Sequence, residues 1–60
     1  MQRISKPMQD ALAGAYRELG RWYHDGGTGT GKALYARGLV TYDGILTEAG
    51  MAIRASLIGL

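Results

Sequence analysis

Sixty residues hold one domain, read here as 1–60, and so short a chain buries only about 60% of the surface its unfolded form exposes, which favours a partner or self-association. The absence of cysteine excludes a disulfide framework, a thiolate metal site and a cysteine nucleophile. Seven Lys and Arg against five Asp and Glu leave a net charge of +2, compatible with nucleic acid and equally with an ordinary solvated surface.

The first predicted element is a helix over SKPMQDALAGAYRELG, residues 5–20. Ser5 is positioned to cap it and Pro7 is tolerated in its first turn. Met8, Leu12, Ala15, Tyr16 and Leu19 recur at spacings of three and four, so they share one face, and Gly20 supplies a stop. Gly14 costs about 1 kcal/mol of helix propensity relative to Ala, which suggests a close approach there. RWYH, residues 21–24, is short, aromatic and ended by DGG, so a brief strand is expected, with Trp22 in or over the core. His24 has no second histidine to share a metal with, and no ligand or catalytic role is assigned to it.

GGTGTGKAL, residues 26–34, matches the phosphate-loop pattern G-x-x-x-x-G-K-[ST] up to Lys32, then places Ala33 where the magnesium hydroxyl belongs. Only 25 residues precede Gly26, too few for the repeated strand-helix-strand units in which such loops sit. The plainer reading is a helix capped by Thr28 or Thr30 and ended by Gly38. Next, LVTYDGILT places Asp43-Gly44 between apolar runs, a hairpin signal. A two-residue turn pairs Tyr42 with Ile45, Thr41 with Leu46 and Val40 with Thr47. Leu39, Thr41 and Leu46 then face the core, while Val40, Tyr42, Ile45 and Thr47 face away. Thr47 caps a last helix with Glu48 in its first turn; Ala49, Ile53 and Leu57 form one stripe, with Met51 and Ile58 beside it.

The motifs Arg37-Gly38-Leu39-Val40 and Leu46-Thr47-Glu48-Ala49-Gly50 carry a resemblance. The stretch ALYARGLVTYDGILTEAG is similar to the recognition helix, wing and following helix of winged-helix proteins of the MarR type, and to short bacterial and phage proteins that place a tryptophan strand ahead of them. The likeness covers residues 28–52 and, loosely, the first helix. It implies an α+β fold: three helices, a short β-hairpin wing and an extra short strand. It also implies a non-enzymatic regulator of transcription that binds double-stranded DNA. The helix 28–37 would enter the major groove, presenting Thr28, Thr30, Lys32 and Tyr35. Arg37 sits in the motif either to pair with an acid or to touch DNA; Arg3, Lys6 and Arg21 are offered to phosphates. Only 18 residues separate Leu19 from Gly38, so the helix-turn-helix is trimmed, and Asp43 at the wing tip repels a phosphate backbone.

The alternative is a protein-interaction module, such as a phage-encoded protein that acts on a host component through the wing face, with Val40, Tyr42, Ile45 and Trp22 at the contact. An enzyme is disfavoured: one histidine, two serines and scattered acids build neither a nucleophile-base relay nor a carboxylate pair. A chain this size is also expected to lack room for a pocket of about 300 Å³ or more. No cofactor, metal, membrane or small-molecule substrate is expected. With no run of about 18 apolar residues and no leader-like start, the chain reads as soluble and cytoplasmic.

Overall fold

The structure is a computed structural model that describes residues 4–59; the phosphate contact expected of Arg3 lies outside them. The fold is α+β, three helices with a two-stranded antiparallel hairpin, in the order α1 (Lys6–Ala13), β1 (Tyr16–Glu18), β2 (Arg21–Tyr23), α2 (Thr28–Ala36) and α3 (Glu48–Ile58). No helix among the described residues is long and apolar enough to cross a membrane.

The first helix is shorter than its periodicity predicts. Ser5 is the N-cap residue, although its hydroxyl makes no cap bond, and Pro7 fits the first turn. The helix stops at Gly14, whose N–H donates to the Asp10 carbonyl. Met8, Leu12 and Ala15 are buried as the stripe requires. Tyr16 and Leu19 instead lie in a hairpin that turns at Leu19 and Gly20, with φ of 52° and 78°. Positive φ at both central residues is the mark of the type I′ turn, which matches the twist of the strands it joins. Tertiary pairing overrides the helical stripe here. The Tyr16 and Tyr23 rings stack at 5.9 Å. β2 also gains a second neighbour, since the Leu46 N–H donates to the Trp22 carbonyl and the His24 N–H to the Gly44 carbonyl. RWY is therefore a strand, as its composition predicts.

α2 begins one residue earlier than the threonine caps allow: Gly27 is its N-cap and no side chain closes the turn. Its end is a Schellman motif. Gly38, at φ 72°, donates to the Tyr35 carbonyl, and Leu39 donates to the Leu34 carbonyl. The leucines that flank this turn, Leu34 and Leu39, are both fully buried.

The ribbon at residues 40–46 pairs one residue out of the expected register. Thr41 N–H donates to the Ile45 carbonyl at 2.7 Å, Val40 bridges Leu46, and Gly44 at φ 88° donates to the Thr41 carbonyl. This is a three-residue loop with glycine in the left-handed position, not a two-residue turn. A slip of one residue exchanges the faces of a strand. Val40 therefore points into the core, only 2% exposed, beside Leu46, while Ile45 turns outward and bridges Tyr23.

α3 starts as its sequence predicts. The Thr47 hydroxyl accepts from the Gly50 N–H at 3.2 Å and donates to the Gly38 carbonyl at 2.6 Å, tying the helix start to the end of α2. Met51, Ile53 and Leu57 pack on the core, whereas Ala49 and Ile58 are exposed. The centre is Met8, Ala11, Leu12, Ala15, Leu34, Leu39, Val40 and Leu46, with Trp22 covering one side. α1 packs directly on both α2 and α3.

Candidate nucleic-acid interface

Thr28, Lys32 and Tyr35 follow one another at spacings of four and three, which sets them along one side of α2. That side faces the ribbon across a cleft of about 390 Å³, open to solvent, whose other wall carries Tyr42 and Asp43 and whose floor carries His24. The cleft corrects the expectation that so short a chain has no space of ligand size: it lies between surface elements and removes nothing from the core. Tyr35 and Tyr42 meet edge to face with centroids 6.0 Å apart, joining the last turn of α2 to the ribbon tip. Tyr42 is otherwise 87% exposed. Lys32 supplies the cation of the cleft and Asp43 the anion, so the charge of the site is locally balanced.

The remaining predicted DNA-contacting residues are placed elsewhere. Thr30 turns toward Gly26 and the α1 side of the helix. Arg37 is exposed at the C-cap of α2, where its charge faces the negative end of the helix dipole, and it forms no ion pair among the described residues. Arg21 closes the β1-β2 hairpin opposite Glu18. Lys6 is engaged by Asp10 at 3.1 Å, one turn along α1. Of the residues expected on a partner-binding face, Tyr42 and Val40 line the cleft. Val40 is core; Ile45 lies on the outward face beside Tyr23. Trp22 is half-buried under the Arg54 guanidinium, which stands 4.5 Å from the ring centroid.

His24, to which the sequence assigns no role, lines the same cleft, and so does Thr41, which is exposed there rather than facing the core as the two-residue turn requires. No local pattern marks them. The signal for His24 lies in glycines distant in sequence, because a Cβ at position 31 would stand 2.9 Å from the ring. The phosphate-loop match does not form that loop: Ala33 is half-buried against the core, and among the described residues no parallel strand precedes the helix. Among the described residues no group of three His, Asp or Glu side chains is placed to hold a metal ion.

Comparison with known protein families finds no match to this chain, and comparisons with curated proteins and with solved structures find none either.

Proposed function

We propose that the chain is a minimal winged-helix protein that binds double-stranded DNA without catalysis, in a regulatory role. α2 is the helix that enters the major groove, and the ribbon 40–46 is the wing beside it. The observation that carries this reading is the convergence of Thr28, Lys32 and Tyr35 from α2 with Tyr42 from the ribbon on one open cleft. A phosphate strand laid along it meets the lysine, a hydroxyl and two aromatic edges. Between α1 and α2 stands a hairpin, where a complete helix-turn-helix has its positioning helix. α1 takes over the support of α2 by packing on it directly.

The test is titration with random duplex DNA at two salt concentrations. Affinity is expected to fall with salt, and Lys32→Ala to weaken binding to every duplex and to reduce the salt slope by about one. Asp43→Asn is expected to tighten binding a few-fold by removing the acid from the cleft. Salt-independent behaviour, or a lysine variant that binds like the parent, sinks the reading.

The second reading, a module that docks on a protein, rests on the row formed by Tyr16, Tyr23 and Ile45 across the outward face of the sheet. A salt-insensitive dimer or complex without DNA affinity, weakened more by Tyr23→Ala than by Lys32→Ala, favours it.

A further inference from the structure

The imidazole of His24 is a peg between α2 and the ribbon. Its backbone N–H donates to the Gly44 carbonyl at 3.2 Å, and its ring Nδ1 accepts from the Gly26 N–H at 3.1 Å. The far edge of the ring fills space that two glycines leave open: a Cβ at position 31 would lie 2.9 Å from Nε2, and one at position 44 would lie 3.5 Å from it. An Nδ1 that accepts carries no proton, so the neutral ring holds its proton on Nε2.

We infer that His24 is a proton-operated latch: a proton taken up at Nδ1 turns the acceptor into a donor, breaks the bond from Gly26 and drives the ring out from between α2 and the ribbon. Two N–H groups cannot face each other at the distance of a hydrogen bond. Gly26 immediately precedes Gly27, the N-cap of α2, so loss of the bond frees the run-in to that helix. The same movement uncouples Gly31 on α2 from Gly44 on the ribbon. The titratable groups that share the cleft with the ring are Lys32 and Tyr35 from α2 and Tyr42 and Asp43 from the ribbon. Lys32 repels an imidazolium and Asp43 attracts it, so both move the charged ring in one sense, away from the helix. Asp25, next in the chain, is directed toward Gly14 at the end of α1.

An NMR titration of the whole chain from about pH 7.5 to about pH 5.0 tests it, following the His24 ring protons, the Gly26 amide and the cross-peaks from the ring to Gly31 and Gly44. The expected result is loss of those cross-peaks, and a Gly26 shift, on the same curve as ring protonation. Cross-peaks that survive in the protonated ring overturn the latch. His24→Asn keeps a short acceptor without a titrating group. Its Gly26 amide is expected to stay flat across the range, and a shift that persists assigns the response to another group and overturns the proposal. The latch stands or falls whatever the cleft binds.

Discussion

Leu19 holds φ at 52° while 92% exposed, an L-residue in the left-handed region with almost no contact in return. That conformation costs about 1–2 kcal/mol for most side chains and less for asparagine, whose short polar group bonds locally. Leu19→Asn is therefore expected to raise the thermal midpoint by a few degrees; a lower midpoint would show that the leucine has a contact to lose. The contrast with Gly38 and Gly44 is instructive, since those positions meet the same backbone demand with the residue that suits it. His24 shows the converse dependence, a side chain whose place is set by the lack of side chains at Gly31 and Gly44.

Among the elements, α3 depends on one close approach. Gly50 is buried against the backbone carbonyl of Leu39, and a Cβ there would overlap that oxygen. The carbonyl has little freedom to move, because it accepts from the Thr47 N–H and its residue donates to Leu34. Gly50→Ala should cost about 3 kcal/mol or more, read as loss of the cooperative transition in circular dichroism. Gly29, within α2, has open space around it. Gly29→Ala is expected to gain about 0.5–1 kcal/mol instead, since alanine favours the helix and nothing is displaced. Two glycines in two helices thus give opposite signs, decided by what stands opposite each.

For the molecule as a whole, stability rests on a narrow centre in which Leu12, Leu34 and Leu39 are wholly enclosed. A domain of this length holds about 3–9 kcal/mol in total. Removing a buried leucine side chain costs about 2–5 kcal/mol, so Leu34→Ala is expected to leave a chain largely unfolded at room temperature, with collapsed amide dispersion in its NMR spectrum. A folded variant would mean that the centre closes over the gap. The cleft borrows its shape from the same centre, because Leu34 holds the inner side of α2 and Val40 the inner side of the ribbon. Loss of the core and loss of duplex binding are therefore expected together in that variant, and apart in Lys32→Ala, whose side chain is exposed.

The amino-acid order alone determined the elements whose signals are local. The stop at Gly38, the cap at Thr47, the strand at Trp22 and the burial of Leu39 and Leu46 each follow from residues a few positions apart. The resemblance offers Thr28, Thr30, Lys32 and Tyr35 together from one helix, and the fold sets Thr30 apart from the other three. Only tertiary structure decided where α1 ends, because Tyr16 and Leu19 satisfy a helical stripe until β2 acquires a second neighbour in the ribbon. It likewise decided the ribbon register, and with it which face Val40 takes: two-residue and three-residue loops suit the same Asp-Gly sequence, and burial of Val40 against Leu46 selects between them. His24 entered the cleft by the same route, through glycines remote in sequence that only folding brings beside it.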